Sequence, residues 1–233
     1  MFIIVIGLGG IGRNLVATAI SYGNSVAVID RSEERCREIL EDYDVLAITG
    51  NSTEHEILTE AGIERADALV ATTSDDAVNL MTCWLSKRFK VPHVVSIVNQ
   101  KHHSAMFTEV GVQISENPDE LVADRLYFWA ANPEIQEMIK VRGGIIFEIE
   151  AEEGAPFIDH EIREMKVRDY VFIALTRSDG TLIIPSGDVR IQAGDLITVF
   201  TKSEAEKTCV QTLNNQLKVN PKRKGKLQDK IRK

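Results

Sequence analysis

No apolar run in the sequence approaches the ~20 residues that a bilayer-crossing helix requires, so a membrane span is not expected. The first residues carry no basic stretch and enter an apolar segment at once, which argues against a secretory leader. Cysteine is scarce: Cys36, Cys83 and Cys209 are far apart and odd in number, fitting neither a disulfide framework nor a C-x-x-C redox or metal site. A cytoplasmic protein is the default expectation. Histidine is equally thin. His55, His93 and His160 stand alone, and the adjacent His102 and His103 would point about 100° apart on a helix, with no acid or cysteine spaced nearby. They read as surface residues, not metal ligands. There is no Tyr-x-x-x-Lys pair, no nucleophile elbow and no internal repeat.

Charge is short of one sign over most of the chain. The formal net charge is −8, with 27 basic and 35 acidic residues in the whole sequence. Residues 216–233 hold eight Lys or Arg and one acid, so the rest carries 27 − 8 = 19 basic and 35 − 1 = 34 acidic groups, a net of −15. An acidic body disfavours nucleic acid as a partner. The basic tail lacks apolar periodicity and is expected to be disordered. It is either a solubilising tail without a partner or a segment that lies on anionic lipid.

What is present is an ordered nucleotide-binding pattern. Met1-Phe2-Ile3-Ile4-Val5-Ile6 reads as a buried parallel strand, and it runs straight into Gly7-Leu8-Gly9-Gly10-Ile11-Gly12. The glycines fit G-x-G-x-x-G. Gly7 permits a tight turn, Gly9 lets the backbone approach a pyrophosphate, and Gly12 allows close helix–strand packing. Ile11, Leu15, Val16, Ala19 and Ile20 then form a helical stripe that stops at Gly23. The start of that helix, with the backbone of Gly10 and Ile11, would face the phosphates. A second strand over 25–29 ends at Asp30, placed to accept hydrogen bonds from a ribose. Asp30 argues against a 2′-phosphate, although Arg31 beside it weakens that, and it does not separate NAD from ATP or ADP.

The alternation continues. Strands are expected over 45–48, 68–71, 93–98 and 112–114, with helices between them. Thr53 and Glu56 suggest a capping box. Ser74 or Asp75 would cap a helix that places Ala77, Leu80, Met81, Trp84 and Leu85 on one apolar face. The result is a doubly wound parallel sheet, with its ligand at the carboxyl ends of strands one and four. From Pro118 a helix runs through Leu121, Val122, Leu126, Tyr127, Phe128 and Trp129, and Asn132-Pro133 breaks it. Ile135, Met138 and Ile139 then suggest a second helix. After Gly143-Gly144 strands dominate, with turns at 178–180 and 193–195 and a closing helix over 203–217, giving a small α+β domain.

Read together, the two halves resemble the RCK (regulator of potassium conductance) family, in the manner of its TrkA/KtrA-type peripheral subunits. The N-terminal match lies in Gly50-Asn51-Ser52-Thr53, Glu60-Ala61-Gly62-Ile63, Ala66-Asp67-Ala68-Leu69-Val70-Ala71, Thr73, Asp76 and Asn79. The C-terminal match lies in Pro156, Ile158, Pro185, Gly187-Asp188 and Gly194-Asp195. Asn51, Ile97 and Asp159 depart from the pattern, which usually has Asp, Arg and Gly there. The resemblance implies a Rossmann-like nucleotide-binding domain over 1–117 and dimerising crossover helices over 118–142. It also implies a C-terminal regulatory domain over 143–215; the basic tail over 216–233 lies beyond the resemblance.

The resemblance further implies that Gly7, Gly9, Gly10, Ile11, Gly12, Asp30 and Arg31 hold the nucleotide, NAD(H) or ATP/ADP. Asn51 and Ser52 would lie beside adenine or ribose, Thr72 and Thr73 near the phosphates, and Arg13 is placed to reach a phosphate. By the same resemblance the chain is not an enzyme. It would be a cytoplasmic regulator at the inner face of the membrane, a homodimer built into a tetramer or octameric ring that gates a TrkH/KtrB-like potassium channel. The alternative is a small NAD-dependent oxidoreductase, which requires an acid or base near the crevice.

Overall fold

A computed structural model of the chain describes residues 1–165 and 169–219. The backbone separates into two compact units, Met1–Val122 and Ala123–Lys233. Of the disordered or lipid-bound tail expected over 216–233, Gln216 and Leu217 instead complete the closing helix, with Leu217 buried, and the part from Asn220 onward lies outside the described residues.

The first unit is a six-stranded sheet in the order β3-β2-β1-β4-β5-β6, with every neighbouring pair parallel. Its strands are β1 (Phe2–Ile6), β2 (Ser25–Asp30), β3 (Leu46–Thr49), β4 (Ala68–Ala71), β5 (His93–Ile97) and β6 (Ile114–Glu116). Five helices connect them: α1 (Gly10–Ser21), α2 (Glu33–Asp42), α3 (His55–Glu60), α4 (Asp76–Arg88) and α5 (Ser104–Val110). This is the doubly wound order in which the chain reverses direction between β1 and β4, and ligands sit at that reversal. One apolar layer is built on Ile4, Ile6, Ala27, Leu69, Val94 and Phe107. The other is built on Val5, Val16, Val28 and Ile39. β1 is therefore buried on both faces, as its unbroken apolar sequence requires.

Two local expectations fail here. Thr53 does not cap α3: its N-cap is Glu54, with no side-chain hydrogen bond, and the Asn51 Oδ1 accepts from the Thr53 N–H to form the turn instead. The second failure is the face of α4. Its buried residues are Asp76, Asn79, Thr82, Cys83 and Ser86; of the expected apolar face, Leu80 and Leu85 pack half-buried against the core, whereas Met81 and Trp84 are exposed. Apolar periodicity misleads because the polar atoms on the inner face find partners. The Thr82 hydroxyl meets Ser52 at 2.8 Å, and the Ser86 hydroxyl donates to the Thr82 carbonyl at 2.7 Å. A satisfied small polar group is tolerated inside as readily as an alanine. Asp75 caps α4, as expected, accepting from the N–H groups of Ala77 and Val78.

The second unit contains an antiparallel sheet in the order β10-β9-β11-β8-β7. Its strands are β7 (Ile135–Val141), β8 (Gly144–Glu150), β9 (Tyr170–Thr176), β10 (Leu182–Ile183) and β11 (Leu196–Lys202). Helix α6 (Pro118–Ala131) leads into it and helix α7 (Glu206–Leu217) follows its last strand. Phe128, Phe147, Ile149, Leu175, Val199 and Leu213 form its core. The helix expected around Ile135, Met138 and Ile139 is strand β7. Its register shifts between Ile135 and Met138, and both residues are buried while Ile139 is exposed. A bulge places two core contacts three residues apart, which is also the spacing of a helix face. The expected pair of crossover helices over 118–142 is thus one helix followed by a strand.

The apolar surface of α6 is also less covered than its composition implies. Phe128 is buried, but Leu121, Val122, Leu126 and Tyr127 are exposed, Tyr127 at 75%. In this unit Asp159 takes φ of +66°. That is the left-handed region, where glycine is easiest and Asp is among the better-tolerated alternatives. The departure from glycine at this position keeps the backbone conformation.

Phe147 is fully buried at the centre of the second core. Phe147→Ala is expected to lower unfolding free energy by about 3–5 kcal/mol, measured by urea denaturation of the purified chain.

Candidate functional site

The carboxyl ends of β1, β2, β4 and β5 open onto a crevice of about 640 Å³ within the first unit, inside the range of small-molecule sites. Its floor is the glycine loop. Gly7 has φ of +89°, and a Cβ on Gly12 would stand 1.9 Å from the Gly7 carbonyl oxygen. Neither position admits a side chain without moving backbone. Gly9 and Gly10 differ: a Cβ on either would meet nothing within 4 Å. Their bareness leaves the loop backbone open to the crevice. α1 starts there with Gly9 as N-cap and no side-chain cap, so the N–H groups of its first turn and its positive dipole end are available to an anion.

Three contacts hold the loop in place. The Asp30 Oδ2 accepts from the Leu8 N–H at 2.6 Å. The Thr72 hydroxyl donates to the carbonyls of Ile6 at 2.9 Å and Gly7 at 3.0 Å. The Gly7 N–H donates to the Ile29 carbonyl at 2.8 Å. Each joins the loop to a neighbouring strand end.

Of the residues expected at the site, Gly7, Gly9, Gly10, Ile11, Asp30, Arg31, Ser52, Thr72 and Thr73 line the crevice. Gly12 lies behind the loop as packing. Asn51 lies outside the lining and braces it, its Oδ1 accepting from the Arg31 guanidinium at 2.9 Å. Arg13, expected to reach a phosphate, is not among the residues that line the crevice. Its guanidinium pairs with Glu38 and Asp42 on α2, both at 2.7 Å, and Asp42 and Glu38 hold its pKa above the ordinary value. Residue 13 closes the first turn of α1, on the side that meets α2.

Sequence reasoning missed Arg35, Ser74, Asp75, Ile97 and Asn99, all of which line the crevice. Arg35 lies in the first turn of α2 just after Asp30, and Asn99 follows β5, the strand beside β4. Both were discoverable from the rule that ligands gather at strand carboxyl ends.

Behind the wall lies a polar support. Asn79 is fully buried; its Oδ1 accepts from the Thr73 N–H at 3.1 Å and the Thr73 hydroxyl at 2.6 Å, while its Nδ2 donates to the Thr73 carbonyl. Asp76 accepts from the Asn99 backbone and side-chain N–H groups, both at 2.8 Å, and from the Gln100 N–H at 3.0 Å. His103 is not the lone surface residue expected: its Nδ1 lies 2.8 Å from the Asp76 Oδ2. The partner is distant in sequence and arrives through the fold. Burial alone would raise the Asp76 pKa, but the hydrogen bonds from Asn99, His103 and Gln100 outweigh it and hold the carboxyl below its ordinary value.

A carboxyl with a lowered folded pKa stabilises above its unfolded pKa, near 4, and loses that contribution as pH falls through the folded value. Asp76→Asn turns an N–H donor toward other donors and is expected to cost about 2 kcal/mol at pH 7. The gap between wild type and variant should close below pH 4, as followed by urea denaturation across a pH series.

Comparison with known proteins gives two domain matches, the TrkA-N domain over residues 3–118 and the TrkA-C domain over residues 146–210. A Trk system potassium uptake protein TrkA homolog of Methanothermobacter thermautotrophicus is 30% identical over 217 residues, spanning 89% of this chain and 96% of that one. A protein of the same name from Pyrococcus abyssi is 30% identical over 214 residues, with 88% and 94% covered. Neither is named as a dehydrogenase, which leaves the oxidoreductase alternative without support. The GsuK channel shares the fold at a TM-score of 0.64 and 17% identity; the match covers 94% of this chain and 40% of the channel chain. The GsuK channel bound to NAD aligns at 0.62 and 16% identity, again over 94% of this chain and 40% of that one. With a TrkA-N crevice and a TrkA-C sheet in order along one chain, and near full-length relatives of that kind, the protein belongs to the TrkA family of potassium uptake proteins.

Proposed function

We propose that the chain is a cytoplasmic regulatory subunit that binds an adenine nucleotide, NAD(H) or ATP/ADP, in the β1–β4 crevice and gates a membrane potassium transporter. The observation that carries this reading is the open face of the glycine loop. Gly9 and Gly10 leave backbone and an uncapped helix start exposed to the crevice, an arrangement suited to a pyrophosphate. Asp30, Arg31, Ser52 and Thr73 line the same crevice; in this reading the first three serve the ribose and Thr73 the phosphates. The NAD-bound GsuK channel supports a dinucleotide in this fold, and the names of the archaeal relatives support potassium uptake as the process served.

Nucleotide binding moves a transporter only if the ligands differ in affinity for two arrangements of the assembly. The exposed apolar residues of α6, Leu121, Val122, Leu126 and Tyr127, support a homodimer built through this helix and a tetramer or octameric ring built from dimers. Burying that stripe against a second copy is favourable at roughly 25 cal/mol per Å² of apolar surface. The partner would be a multi-span potassium channel of the TrkH/KtrB kind. Among the described residues no helix is long and apolar enough to cross a membrane, so the pore is assigned to that partner.

Two outcomes are expected. Gly9 has φ of −68° and ψ of −175°, a conformation open to any residue, and its Cβ direction is empty. Gly9→Asp should therefore fold as the wild type, with α1 gaining a cap, while a carboxylate at the phosphate position lowers nucleotide affinity at least tenfold, on the order of 1.4 kcal/mol. Calorimetric titration with NAD and ATP, beside circular dichroism, separates the two effects. Second, small-angle scattering of the purified protein should change between ATP and ADP, or between NAD and NADH. Superimposable profiles in every ligand state count against gating by ring shape.

A further inference from the structure

The ribose end of the crevice carries an excess of positive charge that an unmodified ribose does not use. Asp30, which closes β2, is 9% exposed, and both its oxygens are engaged: Oδ2 with the Leu8 N–H at 2.6 Å and Oδ1 with the Ser32 N–H at 2.8 Å. The Arg35 Nη1 lies 3.7 Å from the Asp30 Oδ2, which offsets the carboxylate charge. The Arg35 side chain is 55% exposed and lines the crevice, so its guanidinium keeps donors for a ligand.

Arg31 lines the same crevice, and its guanidinium donates to a neutral group, the Asn51 amide oxygen. Its charge is not cancelled by that contact. Of the acids of α2, Glu33 pairs with Arg37 and Glu38 with Arg13; Glu54 accepts from the Asn51 amide, whose oxygen holds Arg31. Asp30, Arg31 and Arg35 together carry one negative and two positive formal charges, a net of one positive.

NAD, ATP and ADP each bring two uncharged hydroxyls to this position. A 2′-phosphate brings about two negative charges and three acceptor oxygens, as a phosphomonoester does near pH 7. Guanidinium groups recognise such a group by charge-assisted, often bidentate, hydrogen bonds. In dinucleotide folds an acid at the end of the second strand takes the ribose hydroxyl, and an arginine nearby accommodates a 2′-phosphate. Asp30 would oppose it, but it is fastened to the loop and shielded by Arg35.

We propose that Arg31 and Arg35 form a phosphate-recognising pair at the adenosine ribose, so that the crevice prefers a 2′-phosphorylated adenine nucleotide, of the NADP type, over its unphosphorylated counterpart. This rests on the adenine-nucleotide reading of the crevice above and replaces NAD(H) or ATP/ADP by a 2′-phosphorylated counterpart as the preferred ligand.

Calorimetric titration of the full chain with NADP, NAD, adenosine 2′,5′-bisphosphate, AMP, ATP and ADP tests it. At low salt NADP should bind at least tenfold more tightly than NAD, and the bisphosphate at least tenfold more tightly than AMP, with both ratios shrinking as salt rises. In Arg31→Gln/Arg35→Gln, whose changes are on exposed side chains and should leave the circular dichroism unaltered, both ratios should fall toward one. NAD binding as tightly as NADP to the wild type would overturn this inference and leave the nucleotide reading standing. A preference that survives in the double variant would overturn the assignment to these two arginines. Failure of every nucleotide to bind would remove the nucleotide reading and this inference with it.

Discussion

The structure depends on how the glycine loop is clamped between the ends of β1, β2 and β4. One buried carboxylate, Asp30, accepts the Leu8 N–H, and one buried hydroxyl, Thr72, donates to two successive carbonyls, of Ile6 and Gly7. These contacts come from strands on opposite sides of β1 in the sheet. They hold a loop whose own residues supply no side chain at Gly7, Gly9, Gly10 and Gly12. The loop can present bare backbone to a ligand because its neighbours hold it rigid from behind. A preorganised backbone cradle needs little ordering when an anion arrives.

The same logic extends outward through the crevice wall. Thr73 is positioned by the buried Asn79, and Asn99 by the buried Asp76, which His103 supports in turn. α4 turns this polar face inward and leaves Met81 and Trp84 on the outside. A helix that supports a site by hydrogen bonds has to place its polar residues in the interior, and each one has to be paired. The first unit therefore carries its polar network on the side where the ligand would sit and its apolar layers on Ile4, Ile6 and Val28 deeper in the sheet.

The two units divide the work by their chemistry. The first holds the crevice and its lining. The second is an antiparallel sheet around Phe147 and Leu175, entered through α6, whose outer residues remain apolar and exposed. Under the proposed function, the crevice of the first unit would take the nucleotide and the uncovered apolar helix would join copies of the chain.

Local periodicity was enough to read β1, the glycine loop, α1 and Asp30, because an unbroken apolar run, a G-x-G-x-x-G spacing and a strand-ending acid each report a short-range constraint. The doubly wound sheet followed from the alternation of strands and helices. Three features could not be read locally. β7 looks helical because a bulge sets Ile135 and Met138 three residues apart. α4 exposes Met81 and Trp84 and buries a polar face, because Asp76 and Thr82 find partners far away in sequence, at Asn99, His103 and Ser52. Arg13 and Arg35 are both basic residues near a phosphate motif, and only the packing of α1 against α2 sends Arg13 to Glu38 and Asp42 while Arg35 stays at the crevice. Short-range pattern determines which backbone shapes are possible; which side chains meet is decided by contacts between segments that come together only when the chain is folded.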